Sequence, residues 1–273
     1  MKRSQLIVVV IGVVAIVGLY SLPKMVVDNE EEISGLTDET TPTSADGMVE
    51  MHEAELTPEQ AASRAQNQQK LNESTSSEEK VASARDLALM YKELGKFDSA
   101  AYYYGFIAKE TENLSDVEQA GESYYEAFTF ALDPEKVSST AEQARDYLNQ
   151  VLDNDPARLD LKTKVAMTYV SSSNPMQGIT MLREILEEDP QNEDGLFNMG
   201  ILSMQSGQYK RASERFEELV KYHPNNLQGQ FYLGVSYFEA GQKNKAKAQF
   251  EEVKKMTQDE MILGSIQGYL DQL

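Results

Sequence analysis

Between residues 81 and 260, apolar residues recur three and four positions apart, the period of one face of an α-helix. Outside an N-terminal apolar run, no stretch alternates in the β-branched pattern of a half-buried strand. The helical pattern also repeats on a longer scale. Laying residues 193–226 over 227–260 puts Gly200 on Gly234, Gly207 on Gly241, Ala212 on Ala246, Phe216 on Phe250 and Leu219 on Val253. One period of 34 positions nearer the N-terminus, residues 159–192 hold Ala166, Ser173, Gly178, Leu182 and Ile185 in the same register. Pro190 and Pro224 close two successive units. A unit so short cannot bury a core alone, so consecutive units must bury it between them.

Each unit reads as two antiparallel helices. Gly200 and Gly234, with Ala212 and Ala246, fall where the helices cross closely, and Phe216 and Phe250 fill the space between one pair and the next. Gly207 and Gly241 end the first helix of their units, where a residue able to take a positive φ is needed. Pro190 and Pro224 follow the second helix, because proline has no N–H with which to continue it.

Leu196, Met199, Gly200, Gly207, Tyr209, Ala212, Phe216 and Pro224, followed by Leu233, Gly234, Tyr237, Gly241, Ala246 and Phe250, resemble the tetratricopeptide repeat. Two departures stand out: Ser203 occupies the place of Tyr237, and Gln258 replaces the closing proline. Residues 81–114 carry a weaker copy in Leu87, Ala88, Tyr91, Gly95, Phe97, Ala100, Tyr104 and Ile107. Residues 115–158 match only in their second half, through Ala144, Leu148, Val151 and Pro156. A degenerate repeat or a generic helical hairpin, with a lengthened turn at Asp133 and Pro134, would fill that place. The resemblance implies an all-α fold, a right-handed α-solenoid of helical hairpins over residues 76–273. Thr257 and Glu260 form a capping box that opens a final helix over 257–271, whose Met261, Ile262, Ile266 and Leu270 cover the last apolar face.

The N-terminal run from Leu6 to Leu22 is apolar except for Gly12, Gly18, Tyr20 and Ser21. Its length corresponds to about 25 Å of helix against a hydrocarbon core of about 30 Å, and Met25 to Val27 extend it if Lys24 reaches the interface. No small-x-small cleavage site follows, so residues 1–27 are expected to be an uncleaved transmembrane anchor rather than a removed signal peptide. Lys2 and Arg3 precede the run and Asp28, Glu30, Glu31 and Glu32 follow it, which leaves the N-terminus in the cytoplasm and sends the rest across the membrane. In a bacterium the anchor lies in the inner membrane and the repeats in the periplasm. Residues 28–75 read as an acidic, disordered linker. Within it the capping box at Thr57 and Gln60, with Pro58, predicts a short helix to about Leu71, and Ser76 with Glu79 caps the helix that begins the array.

The formal net charge of −20 argues against a nucleic-acid partner, which needs a Lys/Arg surface. With no cysteine, the chain has no disulfide, thiolate metal site, lipid-bearing cysteine or cysteine nucleophile. His52 and His223 have no partner at metal-ligand spacing, and the Glu187–Glu188, Glu217–Glu218 and Glu251–Glu252 pairs fit solvated helix faces better than catalytic dyads. No phosphate loop or catalytic motif occurs, and neither an enzymatic activity nor a cofactor is expected.

In tetratricopeptide repeat proteins the first helix of each pair lines a concave groove. Carried over by position, the resemblance places Met167 and Val170, then Phe197, Ile201 and Met204, then Phe231, Val235 and Phe238 along it. Asp160 and Asp194 fall in the same positions nearer the helix starts. The row is apolar where carboxylate-clamping members of the family carry Lys, Arg and Asn. It implies a protein-binding scaffold, tethered to the lipid bilayer, that receives extended peptides or amphipathic helices of envelope proteins. The alternatives are that neighbouring units or the last helix fill the groove, that the Phe231/Phe238 face joins two copies into a homo-oligomer, or that the chain is a mitochondrial outer-membrane import receptor.

Overall fold

The computed structural model describes residues 56–273; the expected membrane anchor and most of the acidic linker lie outside them. Among the described residues the chain forms twelve α-helices and no strand: α1 (Pro58–Glu73), α2 (Ser77–Glu93), α3 (Phe97–Thr111), α4 (Leu114–Phe130), α5 (Pro134–Asn154), α6 (Leu159–Val170), α7 (Pro175–Glu188), α8 (Glu193–Gln205), α9 (Tyr209–Tyr222), α10 (Leu227–Glu239), α11 (Lys243–Met256) and α12 (Glu260–Leu270). None is long and apolar enough to cross a membrane. Each helix packs on the next in chain order, giving five hairpins from α2 to α11, with α1 on one end and α12 on the other.

Local chemistry sets the helix starts. Thr57 and Gln60 form the predicted capping box, and Ser76 accepts from the Glu79 N–H. Asn192 and Asn226, one period apart, accept from the N–H groups of Gly195 and Gly229 at 2.9 and 2.6 Å. The last helix corrects the expected cap. Asp259 rather than Thr257 is its N-cap, accepting from Met261 N at 2.8 Å and Ile262 N at 3.2 Å, while Thr257 accepts from Asp259 N at 3.0 Å. A carboxylate beside the positive end of a helix is the stronger acceptor, and it moves the start to Glu260. Ile266 is then fully buried, but Met261 falls one helical step round and is 84% exposed, so it does not cover the apolar face.

The hairpin turns at Gly95, Gly207 and Gly241 share one geometry, with φ of 70, 71 and 72°. In each, the N–H of the residue after the glycine, three beyond the helix, reaches back to the same carbonyl position: Lys96 to Tyr91, Gln208 to Ser203 and Gln242 to Tyr237, at 2.8–2.9 Å. The α6–α7 turn has Ser173 where the others have glycine. There the N–H and hydroxyl of Ser172 both bond to the Tyr169 carbonyl, at 3.0 and 2.7 Å.

Close crossings follow the small residues. A Cβ on Gly200 would lie 2.6 Å from the Phe216 ring, and one on Gly234 would lie 2.7 Å from the Phe250 ring. In the α6–α7 pair the small residue sits on the second helix, where Gly178 rests on the Ala166 carbonyl and Val170. Residues 115–158 form the hairpin α4–α5, but the expected lengthened turn is absent: only Ala131, Leu132 and Asp133 separate the helices, with Asp133 as cap and Pro134 at the first helical position. The extra length is in the helices, of 17 and 21 residues. Their crossing pairs Gly121 with Leu148.

The buried side chains fall into three clusters along the stack. One runs from Ala84 to Val165, a small one holds Ala166, Leu182 and Ile185, and one runs from Leu196 to Ile266. The small middle cluster joins α6 to α7, with Met199 and Leu202 of α8 packed against it.

Candidate protein-binding surface

The first helices of the last three hairpins, α6, α8 and α10, carry the eight side chains singled out in the sequence. Val235 is buried, and Val170 wedges against Gly178 at the α6–α7 crossing. Met167 borders the small middle cluster, while Phe197, Ile201, Met204, Phe231 and Phe238 lie half-buried against the C-terminal cluster. The rings among them are engaged. Phe197 meets Phe216 and Tyr232 edge-on at 6.0 and 5.7 Å, and Phe231 and Phe238 meet Tyr269 of α12 edge-on at 6.3 and 5.1 Å. Met167, Val170, Ile201 and Met204 are the aliphatic members of the row that keep part of their surface exposed.

Toward the α4 side this face becomes charged. Arg158 bonds to Glu118 and Asp160, and Lys164 pairs with Glu122. Asp194 is held above the usual carboxylate range by burial and by Glu193 beside it. Burial, with Asp194 nearby, also raises the Tyr125 hydroxyl above its ordinary value.

A second feature was marked in the sequence only by the departure at Ser203. A cleft of about 790 Å³ opens between α7, α8 and α9, lined by Ile179 and Arg183, by Met199, Leu202 and Ser203, and by Arg211, Glu214 and Arg215 among others. One period later the corresponding place is filled by the Tyr237 ring. Its hydroxyl donates to Glu217 at 2.5 Å, and Lys245 lies 4.8 Å above the ring while pairing with Glu217 at 3.2 Å. Burial and the Glu217 carboxylate push the Tyr237 hydroxyl well above its ordinary value. The same hydrogen bond, helped by Lys245, holds Glu217 below the usual carboxylate range.

The described residues contain no cluster of His, Asp and Glu suited to a metal ion. His223 ties neighbouring turns together instead. Its Nε2 lies 2.7 Å from the Gln191 carbonyl and its Nδ1 3.4 Å from Glu193, and Asn226 donates to Glu193 at 2.7 Å. Tyr102 of α3, Phe130 at the end of α4 and Leu132 in the α4–α5 turn are exposed apolar side chains. Leu132, in the three-residue turn, is 92% exposed.

Comparison with known proteins places the repeats. Residues 170–230 and 203–263 match the family model of the tetratricopeptide repeat, which supports that family for roughly a third of the chain. No curated protein matches the sequence. A tetratricopeptide repeat protein from Parabacteroides merdae ATCC 43184 is similar in structure, with a TM-score of 0.55 at 17% identity over 78% of this chain and 79% of that one. This likeness shows the fold. Weaker likenesses are to YrrB, described as a TPR protein with an unusual peptide-binding site (TM-score 0.41, 16% identity, 66% of this chain and 88% of that one), and to MamA (TM-score 0.45, 15% identity, 64% and 91%).

Proposed function

We propose that this protein is a membrane-tethered scaffold that binds segments of other proteins. In this reading residues 1–27 anchor it in the inner membrane with the N-terminus in the cytoplasm, residues 28–75 are the tether, and the hairpins from residue 76 hold a peptide or amphipathic helix of an envelope protein in the extracytoplasmic space. The observation that carries the reading is the half-buried apolar row at Met167, Ile201 and Met204, set on successive first helices of a stacked hairpin array. Covering such surface gains about 25 cal/mol per Å² removed from water. Methionine side chains adapt to ligands of different shape. A tether would raise the effective concentration of the repeats for partners held at the same membrane.

The test is photo-crosslinking in intact cells from a reactive residue at Met204, with one at the exposed Glu252 on the second helix of the last hairpin as control. Discrete adducts from Met204 that are absent from Glu252 support the reading. Adducts equal at both positions, or none from Met204 in a protein of unchanged helicity, contradict it. External protease that digests the repeats in spheroplasts, but not in intact cells, tests the compartment.

A further inference from the structure

We infer that the cleft between α7, α8 and α9 receives a partner peptide carrying an aromatic side chain with a carboxylate beside it. This is a site separate from the first-helix row, with which it shares only α8. Four units in register have the same place at the eleventh position, and three fill it with a ring. Tyr91 stacks on Tyr103 at 5.7 Å, Tyr169 lies under the Arg145 guanidinium at 4.8 Å, and Tyr237 lies under Lys245 at 4.8 Å. The fourth residue is Ser203, whose hydroxyl turns back to the Met199 carbonyl at 2.8 Å and leaves the cleft open.

The surroundings specify what would enter. In register, Arg211 stands where Lys245 covers the Tyr237 ring, so a cation is in place above an inserted aromatic group. Arg183 stands where Glu217 accepts the tyrosine hydroxyl. That exchange reverses the requirement, because a guanidinium only donates and its partner must be an acceptor, best of all a planar carboxylate. Arg183 has no hydrogen bond or ion pair among the described residues, and Arg211 donates only to the amide oxygen of Gln208, at 2.9 Å. Of the lining carboxylates, Glu217 is held by Tyr237 and Lys245 and Glu218 by Arg215, which leaves Glu214 against two guanidinium groups. In a chain of net charge −20, this cleft is arranged for an acidic ligand.

The chain contains no tryptophan, so a tryptophan peptide reports its own binding by fluorescence. The probe is N-acetyl-Asp-Trp-Asp-amide titrated with the full chain. The expected result is a saturable rise in anisotropy that weakens at least about tenfold in Ser203→Tyr, where a built-in ring fills the place, and by a similar factor in Arg183→Gln/Arg211→Gln. The latter pair is exposed and leaves the core untouched. N-acetyl-Asn-Trp-Asn-amide is expected to bind several-fold more weakly. Absence of binding to the native chain overturns the inference, as does unchanged binding in Ser203→Tyr or in the double variant at native helicity. A self-association abolished by Ser203→Tyr overturns it in favour of a second copy as occupant. Crosslinks from Met204 that persist in Ser203→Tyr separate the two sites, so either proposal can fail alone.

Discussion

Two regions of the stack solve the same packing problem with different residues. In the C-terminal hairpins the crossing is a glycine against a phenylalanine ring, Gly200 on Phe216 and Gly234 on Phe250, each pair 16 positions apart. In α4–α5 it is Gly121 on Leu148, 27 positions apart. The space between hairpins there is filled by tyrosines: Tyr124 stacks on Tyr147 at 5.7 Å, both against Gly105, and Tyr147 donates to the Gly105 carbonyl at 3.4 Å. Burial, with Tyr147 and Tyr102 close by, pushes the Tyr124 hydroxyl up to about 12. Close helix approach is thus the requirement both regions meet, while the 34-residue period is one way of meeting it. Polar rings also bring hydrogen-bond demands that phenylalanine rings do not.

The largest expected effect sets the two crossings against each other. Gly200→Ala drives a Cβ into a stiff, fully buried ring and should cost about 1–3 kcal/mol in urea denaturation. Gly121→Ala meets Leu148 Cδ2 and Cγ at 2.7 and 2.9 Å and its backbone N at 3.1 Å. This leucine is also fully buried, but it has rotatable side-chain bonds where the ring is rigid, and the cost should be smaller. Equal costs would show that ring and leucine crossings are equally rigid, and the contrast drawn here would fail. A middle-sized effect concerns the turns. Gly207→Ala forces a residue with a Cβ to φ of 71° and should cost about 1 kcal/mol, whereas Ser173→Ala, in a turn without positive φ, should cost little. Similar losses in the two variants would contradict the turn assignment.

The smallest effect is pH-dependent. Glu217 is held below its ordinary 4.5 chiefly by the Tyr237 hydroxyl, then by Lys245, so its contribution is present above about that pH and is lost as pH falls through the lower folded-state value. The stability difference between the native chain and Glu217→Gln should be flat from pH 7 to 5 and shrink below it. A gap that widens on acidification would invert the assigned linkage.

Much of this fold was legible because residues 159–260 repeat one task in register, so each glycine, alanine and phenylalanine was read several times over. The α4–α5 hairpin was not, since its longer helices shift Gly121 and Leu148 out of phase with the rest. The apolar row was visible by position. That the last helix covers it was one of the alternatives, but not that Tyr269 is the residue that reaches Phe231 and Phe238, because α12 lies beyond the period. Ser203 stood out as an irregularity, but its meaning needed the Tyr237 environment, which assigns Arg183 and Arg211 their places.

The central claim is that each hairpin is held by its neighbours. Hydrogen exchange of the native chain and of Ile266→Ala, followed helix by helix, tests it most directly. Ile266 is fully buried in the C-terminal cluster. Its truncation should lower amide protection most in α12, next in α10 and α11, and leave α2 and α3 unchanged. An equal loss of protection in every helix from α2 to α12 would contradict the account.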